Sequence, residues 1–394
     1  MKWFINYSEL DAQQRDFVDI KFNENRNYWI QGHAGSGKSV LLVHSLIKAY
    51  NKNPNIKICF VVYTHALIDM INTGIPSELK SKVEVMTYLQ FKKTTVKYDL
   101  ILVDEIQDLP AEVVSEIKKR ANKVICAGDV NQSIYDGTVS PIEIERLLNA
   151  YKFLLGIIHR LTKKIKKIAS YFTKDVLNAK EDWNKKDVAV IIGKSLPYRS
   201  DEFEFVWRKA KLQASILNSP TVILLPYQKQ IVKFMNFVLE YENKPNFNEQ
   251  YYDPIKENDR RNIHLSEHNV KLEYLGNGFG SLENAVSKNK VIIMTYHSSK
   301  GLDFKNVFIP NLYEGMTIWR DSEERSKTLF YVALTRSREN LYLTYAGKNP
   351  HSYVNLIEGE CKVKDISELL VEVEKEENLM NGSFSIDGDD DIAF

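Results

Sequence analysis

The chain has 394 residues, which is enough for two or three domains at roughly 150 residues each. Its composition, 44% hydrophobic and 27% charged, is that of an ordinary globular protein and excludes a disordered or fibrous chain. No apolar run is long enough to span a bilayer, and the first residues lack the apolar stretch of a signal peptide. We therefore expect a cytoplasmic protein.

The net charge of +1 is the sum of two parts with opposite signs. Residues 1–364 carry 52 basic and 42 acidic side chains, whereas residues 365–394 carry one base and ten acids. A basic body favours a polyanionic partner, although this surplus alone is a weak signal. The three cysteines lie far apart, and their spacing predicts neither a disulfide framework nor a metal site.

Short apolar runs alternate with stretches of helical spacing along most of the chain. In chain order the runs are YWIQ, KICFVVYT, DLILVD and KVICAGD, followed by KFLLGI, TVILL, KVIIMTY, NVFIP and NLYLTYA. Continuous apolar strands followed by helices are typical of a parallel sheet with both faces covered. The pattern predicts an α/β fold with two parallel-sheet lobes.

The strand pattern also predicts the domain boundaries. We place an N-terminal lobe at residues 1–150, a second lobe at residues 151–360 and an acidic tail at residues 361–394. A short hinge is expected near Asn149 to Phe153, because no long Gly/Ser linker separates the lobes. Residues 243–289 have the weakest periodicity and are expected to form a loop or a small subdomain.

The segment GHAGSGKS after the first strand run matches the phosphate-binding loop of nucleotide-binding proteins. In such a loop, glycines let backbone N–H groups surround phosphate oxygens, a lysine reaches the terminal phosphates, and a Ser or Thr hydroxyl ligates Mg²⁺. A chance glycine-rich turn is the alternative, and the position between a strand and a helix argues against it. The predicted residues for ATP and Mg²⁺ here are Gly32, Gly35, Ser36, Gly37, Lys38 and Ser39.

The run LILVDEIQD ends an apolar strand with two adjacent carboxylates. Asp104 is predicted to hold Mg²⁺ together with Ser39, and Glu105 is predicted to orient or deprotonate the attacking water. The alternative is that the two carboxylates lie in a solvated turn. Beside a phosphate-binding loop, however, the pair favours nucleotide hydrolysis.

Five motifs in a fixed order resemble those of UvrD/Rep-like superfamily 1 helicases. DEIQD, GDVNQSIY, TYHSSKGLDF and YVALTRSR follow GHAGSGKS, and the resemblance extends from about Leu10 to about Ala346. The family implies two RecA-like lobes with ATP in the cleft between them and a track for single-stranded DNA across their top. It also implies 3′-to-5′ stepping driven by closure of the cleft.

The resemblance assigns further residues to the nucleotide. Gln14 in LDAQQRDFV is the implied adenine contact, and Gln132 in GDVNQSIY is the implied sensor of the γ-phosphate. Arg160 in IIHRLT and Arg336 in ALTRSR resemble the two arginines that reach the γ-phosphate from the second lobe; a surface salt bridge is the alternative for each.

In TYHSSKGLDF, Lys300 and Gly301 are implied to lie near the phosphates, and Asp303 is implied to meet the ribose. The family usually has Glu at that last position. Because Asp is shorter, it is expected to hold the sugar less well.

Candidate nucleic-acid contacts follow by resemblance, with ordinary loop polarity as the alternative. They are Thr64, His65, Thr87, Tyr88 and His297. After Tyr135, related helicases place an aromatic residue two positions on, where this chain has Gly137. Since base–aromatic stacking contributes about 1–3 kcal/mol per base, this change is expected to weaken or reshape the grip on a single strand.

The chain has little room for the accessory subdomains that large family members insert in both lobes. It therefore resembles a bare translocating core, and we expect a partner protein to supply what is missing. The final residues, Asp389 to Phe394, resemble the C-terminal tip of bacterial single-stranded-DNA-binding protein, which docks on genome-maintenance proteins; a solvated acidic tail is the alternative.

The leading functional prediction is an ATP-dependent translocase or helicase on single-stranded DNA, acting in replication, repair or defence against foreign DNA. The alternative is a nucleotide-gated ATPase switch that controls a partner protein or nuclease without processive unwinding. RNA in place of DNA stays open, because a track that follows the backbone reads no base code.

Overall fold

The computed structural model describes residues 3–135, 137–173, 176, 180–181, 188–196, 201–249, 254–276 and 278–382. Within these residues, no helix is long and apolar enough to cross a membrane.

Six strands of the described chain form the first sheet, and every pairing in it is parallel. They are β1 (Asn27–Gly32), β2 (Ile58–Val62), β3 (Val83–Thr87), β4 (Tyr98–Val103), β5 (Ala121–Gly128) and β6 (Ala150–Leu155), in the spatial order β3-β2-β4-β5-β1-β6. The helices of this lobe are α1 (Ala12–Asp19), α2 (Lys38–Lys52), α3 (His65–Gly74), α4 (Tyr88–Lys93), α5 (Ala111–Arg120) and α6 (Pro141–Leu148). All residues of β2 are buried, as expected for a strand covered on both faces.

The connection between the lobes is the segment of residues 156–190. It contains the two-stranded parallel sheet of β7 (Ile157–Ile158) and β8 (Lys180–Glu181), and the helix α7 (Lys163–Ala169).

The second sheet has seven strands within the described residues, and it is also parallel. The strands are β9 (Ile191–Ser195), β10 (Thr221–Leu225), β11 (Leu272–Tyr274), β12 (Val291–Thr295), β13 (Phe304–Ile309), β14 (Ser337–Ala346) and β15 (Lys362–Asp365), in the order β11-β12-β10-β13-β14-β9-β15. Its helices are α8 (Asp201–Ser215), α9 (Gln228–Tyr241), α10 (Pro254–Glu267), α11 (Leu282–Ser287), α12 (Glu323–Leu334), α13 (Ser352–Ile357) and α14 (Ile366–Gly382). The predicted α/β fold with two parallel-sheet lobes is confirmed.

The predicted hinge near Asn149 to Phe153 is wrong. Asn149 caps the end of α6, and residues 150–153 start β6. This strand pairs with β1 along its whole length and so extends the first sheet to Leu155. Phe153 packs on Phe17 of α1, with ring centroids 4.9 Å apart. The first lobe therefore extends beyond residue 150. The sequence did not reveal this, because an apolar strand has the same pattern of residues in either sheet.

The predicted acidic tail starts too early. Residues 362–365 form β15, an edge strand of the second sheet, and α14 packs on α8. Ile366, Leu369 and Val373 are buried in this contact, and Lys209 of α8 pairs with Glu376 at 2.6 Å. The acids of this segment therefore neutralise cations of the second lobe. Residues 383–394, including the predicted tip from Asp389 to Phe394, lie outside the described residues.

Residues 243–289 contain α10, β11 and α11. Because β11 pairs with β12 at the edge of the second sheet, this segment belongs to the second lobe and is not a separate subdomain.

Candidate active site

A cavity of about 240 Å³ lies between the lobes, and both lobes contribute to its wall. The predicted nucleotide residues that line it are Gln14, Gly35, Gly37, Lys38, Ser39, Glu105, Gln132, Arg160, Gly301, Asp303 and Arg336. Four further predicted residues lie next to this wall. Ser36 is a chain neighbour of lining residues, and hydrogen bonds to lining residues hold Gly32, Asp104 and Lys300. The structure thus brings the predicted residues of both lobes to one place.

The phosphate-binding loop has the backbone that its glycines allow. Gly35 and Gly37 have φ angles of +80° and +88°, in the left-handed region that favours glycine. A Cβ at Gly35 would lie 2.4 Å from the Cβ of Arg160. Lys38 begins α2, and its Nζ donates to the Gly32 carbonyl at 2.8 Å. The buried Ser36 hydroxyl lies against Gly32 and has no hydrogen-bond partner among the described residues.

Asp104 and Ser39 form an oxygen-rich pair at the end of β4. The Ser39 hydroxyl donates to Asp104 Oδ2 at 2.6 Å. Burial, and next the charge of Glu105, raise the pKa of Asp104 to about 6, so a cation here would stabilise its ionised form. Hydroxyl and carboxylate oxygens are the ligands that Mg²⁺ prefers. These two residues therefore fit the predicted metal.

Glu105 is held in an unusual conformation beside this pair. Its φ of +52° is left-handed, which is uncommon for a residue with a side chain and recurs at functional sites. Gln107 Nε2 donates to Glu105 Oε2 at 2.5 Å, and Gln107 Oε1 accepts from the Asp129 backbone N–H at 3.2 Å. Burial alone would raise the pKa of Glu105, but Lys300 and Lys38 outweigh it and lower the pKa below its usual value. The carboxylate is thus fixed and ionised.

Arg336 reaches from the second lobe to the first. Its guanidinium donates to the Val332 carbonyl at 2.8 Å, the Leu302 carbonyl at 2.9 Å and Gln132 Oε1 at 3.2 Å. Burial, followed by repulsion from Arg160, lowers its pKa to about 9. Arg336 stays charged at neutral pH, and it contacts the residue predicted to sense the γ-phosphate.

Asp303 lies between two arginines. Arg160 donates to Asp303 Oδ2 at 3.3 Å, and the Arg338 Nε donates to Oδ1 at 2.7 Å. Burial would raise the pKa of Asp303, but Arg338 and then Arg160 lower it below its usual value. The carboxylate that was predicted to meet the ribose is therefore engaged by cations, and its contact with a sugar stays a prediction.

Lys300 joins the lobes through buried polar contacts. Its Nζ donates to Asp108 Oδ1 at 2.6 Å and also to the Gln132 carbonyl. Burial raises the pKa of Asp108 to about 7, with Lys300 opposing the shift. Next to Lys300, a Cβ at Gly301 would lie 2.5 Å from a methyl group of Leu67 in α3. The lobes are in close contact at this turn.

Gln14 is tied to the phosphate-binding loop. Its Nε2 donates to the Ser36 carbonyl at 3.2 Å, and its Oε1 accepts from the Asp11 backbone N–H at 3.1 Å. Nε2 of His159, which also lines the cavity, lies 2.7 Å from Asp11 Oδ2. Both polar ends of Gln14 are thus engaged, and its contact with a base stays a prediction.

Four of the five predicted nucleic-acid contacts lie where strands of the first lobe end, and the fifth, His297, follows β12 of the second lobe. Thr64 and Thr87 cap the first turns of α3 and α4, accepting from the backbone N–H groups of Leu67 and Gln90. Because the carboxyl ends of parallel strands meet at one edge of a sheet, His65 and Tyr88, which follow these caps, are on the same side of the lobe.

An aromatic row crosses from the first lobe to the second on this side. We define it as Tyr88, Tyr63, Tyr135, His297 and Trp319. Successive ring centroids are 5.2, 4.4, 6.2 and 5.3 Å apart. Burial, with repulsion from Lys300, lowers the pKa of His297 to about 4, so its ring is neutral at pH 7.

Two protein families match this sequence. The UvrD-like helicase C-terminal domain matches residues 92–348, and the AAA domain matches residues 14–138. The first match alone covers more than half of the chain. The chain belongs to the UvrD-like helicase family. The family predicted from the five ordered motifs is thereby confirmed.

Curated proteins that are similar to this UvrD-like chain match it over short segments. It is 45% identical to the ATP-dependent DNA helicase Rep of Buchnera aphidicola subsp. Schizaphis graminum over 67 residues, which are 16% of this chain and 10% of Rep. It is 30% identical to a probable DNA helicase II homolog of Mycoplasma capricolum over 145 residues, 32% of this chain and 20% of that protein. It is 37% identical to the ATP-dependent DNA helicase PcrA of Bacillus subtilis over 70 residues, 16% of this chain and 10% of PcrA. The chain thus matches no more than a fifth of the length of these relatives.

Solved viral helicases are similar to the UvrD-like chain in a more general way. The PRRSV helicase has a TM-score of 0.44 and 13% identity, over 84% of this chain and 54% of the viral one. Arterivirus nonstructural protein 10 in complex with DNA has a TM-score of 0.44 and 14% identity, over 84% of this chain and 63% of that one.

Several residues of the UvrD-like site were not predicted from the sequence. His159 and Arg338 lie one and two positions from the predicted arginines, so those motifs could have included them. Gln107 and Asp108 are part of the motif DEIQD, so that motif could have included them too. Tyr63 and Trp319 enter the site only through ring contacts that the chain order does not reveal.

Proposed function

We propose that this UvrD-like chain hydrolyses ATP between its lobes and uses closure of the cleft to move along single-stranded DNA. The observation that carries the proposal is the composition of the cavity wall. Lys38 and Glu105 come from the first lobe and Arg336 comes from the second. Arg160, which was expected on the second lobe, lies in the connection, and its backbone N–H donates to the Gly35 carbonyl at 3.2 Å. Such a site is complete only when the lobes are together, which couples hydrolysis to their relative position.

The chemistry follows from the charges at the site. Glu105 accepts a proton from water as the water oxygen attacks the γ-phosphorus and the bond to the β–γ bridging oxygen breaks, with ADP and phosphate as products. The hydrogen bond from Gln107 keeps this carboxylate in place. Lys38 and Arg336 stabilise the negative charge that grows on the phosphoryl oxygens. When bound at Ser39 and Asp104, Mg²⁺ would supply further neutralisation of the phosphate charge.

The route from nucleotide to strand is short. Arg336 hydrogen-bonds Gln132, and Tyr135 of the aromatic row lies three residues further along the chain. A change in the Gln132 contacts on binding or hydrolysis of ATP therefore reaches the row directly. Bases of a single strand would stack on such rings, at about 1–3 kcal/mol per base.

Family membership favours this motor over the nucleotide-gated switch. The expected protein partner, and its capture by Asp389 to Phe394, stay predictions, because these residues lie outside the described chain.

The test is ATP turnover of the wild type and Glu105→Gln without polymer and with single-stranded DNA, duplex DNA or RNA. We expect strong stimulation of the wild type by single-stranded DNA and almost no turnover by Glu105→Gln. Glu112→Gln is the matched control, since Glu112 is an exposed acid on α5 that pairs with Lys92 outside the cavity. Wild-type turnover that no polymer changes would contradict the motor.

Directional movement needs its own measurement. Streptavidin bound to biotin at one end of an oligonucleotide is displaced only by a protein that steps toward that end. By family resemblance we expect faster displacement from the 5′ end. Equal rates from both ends, or no displacement, would leave an ATPase without translocation.

A further inference from the structure

We infer that Trp3 forms an apolar wall at the base end of the nucleotide cavity and contributes affinity for the base of the bound nucleotide. This inference rests on the proposed function, because it takes the cavity to be the ATP site. The phosphate-binding loop fixes one end of that cavity, with Lys38 and Ser39 at the first turn of α2.

Part of the remaining wall is apolar. Trp3, Ile5 and Met70 line the same cavity as Lys38 and Gly37, although they come from the N-terminal segment and from α3. A nucleotide base is a flat ring system with two π-faces, and an indole is the side chain with the largest face to offer it. The chemical class that fits this end is therefore the base of the nucleoside triphosphate.

Trp3 is fixed in position by contacts with α3. Its indole Nε1 donates to the Met70 carbonyl and to the Thr73 hydroxyl, each at 2.9 Å. Its ring packs directly on Gly74, where an added Cβ would lie 2.4 Å from a ring carbon. Because its N–H is used on α3, the indole contributes to the cavity through its ring and not through a hydrogen bond.

The segment that carries Trp3 is also fixed to the helix of the phosphate-binding loop. The Phe4 ring lies 4.7 Å from the ring of His44 in α2, and His44 Nε2 is 3.0 Å from the Ile5 carbonyl. Since α2 also carries Lys38, the distance from Trp3 to the phosphate end is set by one rigid helix. The apolar wall is therefore preorganised for binding the nucleotide.

The polar groups near this end are already engaged. Gln14 bonds to the Ser36 carbonyl and the Asp11 N–H, and His159 pairs with the Asp11 carboxylate. Contact with the apolar wall is therefore the main contribution that remains for a base.

The experiment compares two ligands that differ by the nucleoside. The dissociation constants of AMP-PNP, a non-hydrolysable ATP analogue, and of inorganic tripolyphosphate are measured by calorimetry with Mg²⁺ present. We expect Trp3→Ala to weaken AMP-PNP binding about tenfold and to leave tripolyphosphate binding unchanged. Trp3→Phe keeps a ring but loses the two hydrogen bonds, so its AMP-PNP affinity should fall between those of Trp3→Ala and the wild type.

Tyr7→Ala is the matched control, because Tyr7 is an exposed aromatic residue of the same segment outside the cavity wall. It should leave both dissociation constants unchanged. An equal loss for both ligands in Trp3→Ala would show that Trp3 only supports the fold, and unchanged binding of both would show that it contacts no base; either result overturns the inference. A Trp3 effect confined to AMP-PNP in a protein that does not hydrolyse ATP would refute the proposed function and leave the inference standing.

Discussion

Replacing Arg336 is the sharpest test of the two-lobe site. In Arg336→Met the cavity loses the guanidinium that bonds Gln132 across the cleft, while a side chain of similar length remains. A cation supplied to the transferring phosphoryl group is worth about 10³-fold to 10⁵-fold in turnover, so we expect kcat to fall by about 10³-fold or more, equivalent to about 4 kcal/mol of activation free energy. The KM for ATP should change much less.

The same substitution has a cost in stability that can be worked out separately. The Leu302 carbonyl and Gln132 Oε1 each lose a charged donor, and a buried acceptor left without a partner costs about 1–3 kcal/mol. The Val332 carbonyl keeps the Thr335 hydroxyl as a donor at 3.0 Å. We therefore expect the free energy of unfolding to fall by about 2–6 kcal/mol. Arg336→Lys keeps the charge but cannot reach all three acceptors, so its kcat should lie between those of Arg336→Met and the wild type.

The assay is steady-state ATPase turnover with saturating single-stranded DNA, with thermal unfolding measured on the same samples. Arg120→Lys is the control, because Arg120 lies on α5 and bonds the Phe91 and Thr94 carbonyls away from the cavity. A folded Arg336→Met protein with kcat within about threefold of the wild type would refute the assignment of this arginine to the transition state.

Three further predictions concern other parts of the molecule. Leu369→Ala should lower the free energy of unfolding by about 2–5 kcal/mol in a denaturant titration, and an unchanged free energy would mean that α14 is a tail after all. Because the pKa of His297 is lowered to about 4, the unfolded chain binds its proton more readily, and stability should fall as pH drops below about 6.5. At pH 5 the wild type should lose about 2 kcal/mol more than His297→Phe, and equal losses would argue against a buried neutral ring. Tyr135→Ala should weaken the binding of oligo-dT about tenfold in fluorescence anisotropy, and unchanged affinity would remove the aromatic row from the strand track.

The sequence predicts the parts of this molecule in which chemistry and chain order coincide. The phosphate-binding loop needs consecutive residues, so Gly32 to Ser39 are recognisable as letters. The carboxylates Asp104 and Glu105 are recognisable because an apolar strand ends directly before them. Strands of a sheet that is covered on both faces are continuous apolar runs, and such runs predicted the two lobes.

Other features depend on contacts between distant segments. The edge position of β6 is decided by its pairing with β1, and an apolar run contains no signal for the sheet that it joins. The acids of α14 read as a solvated tail because their cations, such as Arg208 and Lys209, are more than 160 residues away in the chain. Likewise, the role of Trp3 depends on its bonds to Met70 and Thr73.

Helix α3 is in contact with three functional regions at once. It begins at His65 on the side of the aromatic row, its Leu67 touches Gly301 of the second lobe, and its last turn holds Trp3. A rigid body shared by two ligand sites gives them a common coupling free energy, and such coupling is reciprocal. The factor by which ATP changes the affinity of this protein for a DNA strand must then equal the factor by which the strand changes its affinity for ATP. If ATP tightens the hold of the proposed motor on a strand, the strand raises the affinity for ATP by the same factor; if ATP loosens that hold, the strand lowers the affinity for ATP.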